Sequence, residues 1–376
     1  LALCVLAAGL GGALAGCGGS APAGDVVTVT TGACGTGIAR PAPGWHTFRI
    51  RNAAIDAATV DLIDPANGAV YAEVEALGPG TSSPMRLDLG SGRYAFRCLL
   101  EDTDPITGPT FRVPGHAHGE PAILPVTSND LIGPAREYHG YVAAGLVTLA
   151  RQVGVLAARI RVGDLAGARR AWLPAHLTYE RLGAAYDAFG NFDDEIDGRP
   201  DGLAGGVHSP HWTGFYRLEY GLWHGQSARA LAAPAATLVR DVRALRAAWP
   251  GTEIDLLDIG LRTHEILENA LEFQLTGHDD YGSGTTLATT AANITGTYEL
   301  LKVLHPLLAV RYRNLPAVYF WLARLQRLVD AQQQPGGGWT PVGRLGTLAR
   351  EQIDSACDQA LQELAPIAVI TEPRRT

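Results

Sequence analysis

The stretch His211-Trp-Thr-Gly-Phe-Tyr-Arg-Leu-Glu-Tyr-Gly-Leu-Trp-His224 concentrates aromatic rings, metal-capable side chains and a helical repeat in one segment. Wound as a helix, it sets Phe215, Leu218 and Leu222 on one apolar stripe and Trp212, Tyr216, Glu219 and Trp223 on the next, leaving little circumference for water. Glu219 is therefore expected to be a carboxylate on a buried helix. Such a group must be paired, protonated or bound to a cation.

Outward from this segment the period stays helical. Glu137 to about Val162 is rich in Ala, Leu and Val, and Asp164 is placed to cap the next helix. There Leu165, Ala168, Trp172, Ala175, Tyr179, Leu182, Tyr186 and Phe189 fall at alternating three and four spacing, a bundle seam. His176, Glu180 and Asp187 form a stripe beside it, and Pro174 should kink the helix or mark its true start. Gly190 to Gly198 reads as an acidic loop that feeds carboxylates toward a neighbouring site. Ser227 to about Trp249 is an Ala/Leu/Arg helix, and Thr252 with Asp255 caps another. In that helix Leu257, His264 and Leu271 recur at sevens, as do Leu261, Glu268 and Leu275, so His264 and Glu268 are expected to face inward and Glu265 outward. The spacing of His264 and Glu268 repeats that of His176 and Glu180, a hint of two related halves. Helices near 287–311, 316–333 and 341–364 close the bundle.

Upstream, residues 25–113 read as β. Val27-Thr30, His46-Arg51, Ala58-Ile63, Ala69-Val74, Met85-Leu89 and Gly92-Cys98 alternate, with Gly and Pro turns between them, and strands at this spacing imply a sandwich. Residues 114–125 form a Pro/Gly-rich linker in which His116 and His118 are expected to be solvated. Residues 126–370 make the helical bundle.

A chain of 376 residues suggests two domains or three, and a net charge of −8 argues against a nucleic-acid partner. Residues 1–24 read as a lipoprotein signal and tether: Leu14-Ala-Gly-Cys17 has the form of a lipobox, with Cys17 taking the lipid that anchors the protein outside the cytoplasm. No later stretch reads as the roughly 18 to 20 apolar residues of a spanning helix. Outside the cytoplasm a disulfide persists, which pairs Cys34 with Cys98; the alternative is a thiolate bound to a soft metal such as copper.

Gly214, Tyr216 and Glu219 stand at the fixed positions of a Gly-x-His-x-x-Glu signature, and on that motif the chain resembles the imelysin-like (M75) family, which includes the EfeO iron-uptake proteins. Tyr216 replaces the family histidine. Its phenolate would be a harder ligand than imidazole and would lean the site toward ferric iron. Strand-turn-Tyr-x-x-x-Cys near Cys98 resembles the cupredoxin-like domain that precedes the bundle in such proteins. Cys98, Met85 and His46 lack the closely spaced second histidine of a blue-copper centre, which speaks against one, although copper or another second metal stays open for that domain. The implied fold is multidomain, a cupredoxin-like β-sandwich followed by an all-α imelysin-like bundle. The implied function is extracytoplasmic iron binding (Fe2+ or Fe3+) in an EfeUOB-type uptake system, with an iron permease and a Dyp-type haem peroxidase as partners. The implied ligands are Glu180, Asp194, Tyr216, Glu219 and Glu268, with His176 or His264 completing or orienting the shell, and with Asp193 and Glu195 open as alternatives to Asp194. Since imelysin-like proteins have been grouped with metallopeptidases, metal-assisted peptide hydrolysis is the competing reading.

Overall fold

Alternation of side chains builds the first unit. A computed structural model describes residues 26–36, 38 and 41–375, so the lipobox and Cys17 lie outside the described residues. The chain divides into one unit ending at Leu124 and another beginning at Pro125. In the first, β1 (Val26–Val29), β2 (Gly44–Asn52) and β5 (Ser82–Leu89) form one sheet, in the order β1-β2-β5. The second sheet runs β4 (Val70–Leu77), β3 (Ala58–Ile63), β6 (Gly92–Leu100) and β7 (Ile106–Thr107), with β8 (Phe111–Val113) also on β6. Phe48 and Ile50 of β2 and Met85, Leu87 and Leu89 of β5 point inward at every second position. Phe48 meets Phe96 of β6 edge to face at 5.0 Å, so the two sheets share one core.

Cys34 and Cys98 are joined as a disulfide inside that core. With both sulfurs in the bridge neither is a thiolate, and the alternative of a Cys-bound copper has no ligand here. The Pro/Gly stretch after β8 is not a free linker. Its backbone is bound to the sandwich, Ser91 donating to the Ala117 carbonyl and Glu120 to that of Asp88 at 2.9 Å each, while Ile123 and Val70 exchange a pair. A Cβ on Gly119 would lie 2.0 Å from the Gly90 nitrogen, so only glycine lets this strap lie so close. His116 and His118 are exposed on it.

Helical periodicity builds the second unit. α1 (Ser128–Arg161) starts nine residues earlier than expected, because Thr127 and Asp130 form a reciprocal capping box. It is also the one helix among the described residues long and apolar enough to cross a bilayer, contrary to the sequence reading. Its buried stripe, Tyr138, Val142, Leu146, Leu149, Val153 and Leu156, is spent on packing within the bundle core. α2 (Leu165–Glu180) is capped by Asp164 and runs through Pro174 without ending or restarting. α3 (Tyr186–Phe189) leads to α4 (Asn191–Asp197), so the expected acidic loop is a short helix. α5 (Gly214–Trp223) is the central segment, and α6 (Ala228–Ala248) packs on it. α7 (Leu256–Asn269) is capped by Asp255, not Thr252, and continues into a π-helical turn at Ala270–Gln274. α8 (Thr286–Leu308), α9 (Leu315–Asp330) and α10 (Thr347–Thr371) complete the unit.

One glycine fixes how the centre is assembled. Gly214, the first residue of α5, has φ +86°, and a Cβ there would sit 2.3 Å from the Ile196 carbonyl oxygen. The start of α5 thus lies directly on the end of α4.

Candidate metal centre

The four-residue spacing on α2 stacks His176 and Glu180 on one face. His176 Nε2 lies 3.0 Å from Glu180 Oε1 and 3.1 Å from Asp197 Oδ1, the last residue of α4. One ligand atom from each of these three residues falls within 4.8 Å of the others, the only such group of three or more among the described residues. The imidazole is held on three sides by rings, with centroids at 4.7 Å from Trp172, 5.3 Å from Phe215 and 5.2 Å from Tyr216. Trp172 Nε1 donates to the Phe215 carbonyl at 2.9 Å, tying α2 to α5. With its amide nitrogen turned toward Glu180, Asn293 of α8 donates to Oε2 at 3.0 Å, which leaves Oε1 facing the histidine. Such a partner orients a ligating carboxylate.

The cluster opens on a cavity of about 180 Å³ whose wall includes Asp193, Asp197, Glu180 and Asp279. Burial raises the carboxyl of Asp193 to about 6, against the pull of the Tyr179 hydroxyl that donates to it. Burial likewise takes Asp279 up to about 6 although Arg199 opposes the rise. Asp197 is pushed well up, first by burial and then by Glu180 and Asp193, with the His176 charge working the other way. For His176 burial alone would favour the neutral ring, but Asp197 and Glu180 outweigh it and hold the imidazole protonated. His176 Nε2 faces both carboxyl groups, and a cation would be coordinated between them. Of the two arginines in the wall, Arg262 is committed to Asp187 and to Glu265, and Arg199 lies 3.9 Å from Asp279, which leaves Glu180, Asp193 and Asp197 with the His176 ring alone. An excess of buried acids over available cations is the condition a bound metal relieves. One nitrogen and two carboxylates form a borderline-to-hard donor set suited to iron or manganese.

Not all of the expected ligands meet here. Asp194 is exposed, because α4 is helical and its 3.6-residue period turns Asp193 and Asp197 inward together and Asp194 away. Glu195 is exposed as well. Glu268 also points outward, its side chain 56% exposed and 3.9 Å from His264 Nε2. The buried stripe of α7 is Ile259, Thr263, Ile266 and Leu267, not the seven-residue series containing Glu268. His264 is largely buried but lies outside the cluster and the cavity wall, and Glu265, expected on the wet side, is half-buried against Arg262. Tyr216 does line the cavity, where its hydroxyl donates to Asp279 Oδ2 at 3.2 Å. Burial and the surrounding carboxylates push its pKa well up, which favours the neutral phenol.

Glu219 is buried as expected; its Oε1 acts as a clamp, while its Oε2 accepts no hydrogen bond among the described residues. Its Oε1 accepts from the backbone N–H groups of Tyr281 at 3.2 Å and Ser283 at 2.9 Å, pinning the loop that carries Asp279. Burial raises its carboxyl to about 7. Asp197, Asp279 and Gln274 are participants that the sequence did not single out. Gln274 comes from the π-helical turn, a distortion that recurs at functional sites, and donates to Asp279 Oδ2 at 2.7 Å. A helical reading of residues 191–197 would have found Asp197; no periodicity marks Asp279.

Residues 134–318 match the family described as imelysin, peptidase M75. The chain is 29% identical over 239 residues to the "iron uptake system component EfeO" of Yersinia pestis, an alignment covering 64% of this chain and 62% of that protein. It is 27% identical over 288 residues to the protein of the same name from Escherichia coli O6:H1, covering 74% and 73%. The first of these alignments spans less than two thirds of the relative's own length.

Proposed function

We propose that this protein, whose residues 134–318 match the imelysin family, binds iron as cargo in a cellular iron uptake system. The observation that carries the proposal is the buried convergence of His176, Glu180 and Asp197 beside two further acids, Asp193 and Asp279. Iron would take the position of the Nε2 proton, bound by His176, Glu180 and Asp197. Asp193 and Asp279 would balance its remaining charge, and the Tyr216 hydroxyl would orient Asp279. Only a strongly acidic cation such as Fe3+ would draw the phenol proton off Tyr216 and add it as a ligand.

In this reading the Cys17 thioether lipid holds the protein on the outer face of the cell membrane. There it would hand iron to a membrane permease, alongside a Dyp-type haem peroxidase, in an EfeUOB-type system. The cupredoxin-like character of the sandwich belongs to the same reading. The names of the relatives favour a carrier over a hydrolase. Equilibrium dialysis of the full chain against Fe2+, Fe3+ and Zn2+, with wild type and His176→Ala, tests the proposal. Uptake of about one iron per chain, lost in the variant, is expected. An unloaded wild type, or a variant that binds as well, contradicts it.

A further inference from the structure

A cavity built to hold a cation has an arginine in its wall, and the fold gives that arginine two places to go. Arg199 lies two residues past the end of α4, its side chain 35% exposed. On the inner side its Nη1 lies 3.9 Å from Asp279 Oδ1, and Asp279 is almost wholly buried. On the outer side its Nε lies 3.6 Å from Asp201 Oδ2, and Asp201 is 59% exposed. Neither contact is a close bidentate pair, and the Asp279 oxygen that faces Arg199 accepts no hydrogen bond. The guanidinium plane rests over Phe273 at 3.6 Å, an apolar ledge on which it can slide without losing the cation–π contact. Arg262, by contrast, is fixed between Asp187 and Glu265. Asp201 also faces the exposed imidazole of His278 at 3.1 Å and is itself 59% exposed, so water covers its charge whether or not Arg199 is there.

We propose that Arg199 is the internal counter-ion of the site, occupying Asp279 when the cavity is empty and moving to Asp201 when a metal cation enters. The inference rests on the iron-binding reading and deepens it. A guanidinium and a metal cation cannot both sit against the same buried acids without repulsion, which is strong in a low-dielectric cavity. Arrival of the cation therefore drives the arginine outward. Return of the arginine neutralises Asp279 again and helps expel the cargo, which a carrier that must surrender its ion requires. Arg199 is in this sense a release residue, acting through Asp279 and not by touching the metal.

The test uses the full chain with Fe2+ under anaerobic conditions, comparing wild type, Arg199→Gln and Arg199→Lys for equilibrium affinity and for the rate of iron release into a chelator. Removing the competing charge is expected to tighten binding by about tenfold or more, chiefly through slower release. Arg199→Lys keeps the charge and should stay within about threefold of wild type, a rescue that a purely structural role for the guanidinium fork would not give. Weaker binding in Arg199→Gln overturns the proposal, as do unchanged rates or a lysine variant that behaves like glutamine. A wild-type chain that takes up no iron fails the binding reading itself and the counter-ion role with it. A wild type that loads normally beside an unaltered Arg199→Gln fails the counter-ion role alone.

Discussion

Replacing Glu219 separates its structural role from a ligand role. Its carboxyl loses a proton near 4.5 in the unfolded chain and near 7 in the folded one, because burial disfavours the charge. Between these values the folded chain holds a proton that the unfolded chain has lost. Stability must therefore fall as pH rises through that window and stay low above about 7. The gap corresponds to about 3 kcal/mol from this one residue. In Glu219→Gln the amide oxygen still accepts from Tyr281 and Ser283, but nothing ionises. Urea unfolding of metal-free wild type and Glu219→Gln at pH 5 and pH 8 should show the wild type losing about 3 kcal/mol more than the variant over that range. Glu219→Ala leaves two backbone N–H groups without an acceptor and should cost about 1–3 kcal/mol for each at pH 5. Iron stoichiometry should survive in Glu219→Gln, since the converging ligands are His176, Glu180 and Asp197. Parallel pH profiles for wild type and glutamine variant would refute the buried-charge reasoning, and loss of iron from a well-folded Glu219→Gln would refute the clamp.

Two other outcomes follow from the same geometry. Gly214→Ala forces a left-handed backbone on a residue with a Cβ, at about 1–2 kcal/mol, and drives that Cβ into the Ile196 carbonyl. Melting temperature and iron affinity should fall together in this variant, and an unchanged melt would mean that α4 and α5 do not meet as described. Iron uptake at pH 7 should release protons, because His176 is held protonated by Asp197 and Glu180 in the free site. Calorimetric titration in buffers of different ionisation enthalpy should give different apparent heats, and identical heats would contradict the protonated histidine.

Strong local periods made much of this molecule readable. Alternation at Phe48, Ile50, Met85 and Leu87 located the sandwich, and the three-and-four seam through Trp172 and Tyr179 located α2 and set His176 above Glu180. Where the period was short or broken, the reading slipped. Seven residues of α4 are too few to announce a helix, so the sequence offers Asp194, Asp193 and Glu195 and does not mark Asp197, which lies on the inner face beside Asp193. A seven-residue series through Leu261, Glu268 and Leu275 assumed a straight coiled-coil seam. Leu261 and Glu268 instead face solvent, and the helix changes its winding from Ala270 onward. Asp279 sits in a loop held by Glu219 and Gln274, a tertiary arrangement that no spacing encodes.

The most direct measurement compares iron affinity in Asp197→Asn and Asp194→Asn, two isosteric changes three residues apart on α4. Asp197 converges with His176 and Glu180, whereas Asp194 is exposed. Asp197→Asn should weaken iron binding by at least tenfold, while Asp194→Asn should match wild type. Equal affinities in the two variants, or a loss confined to Asp194→Asn, would contradict the assignment of this cluster as the iron site.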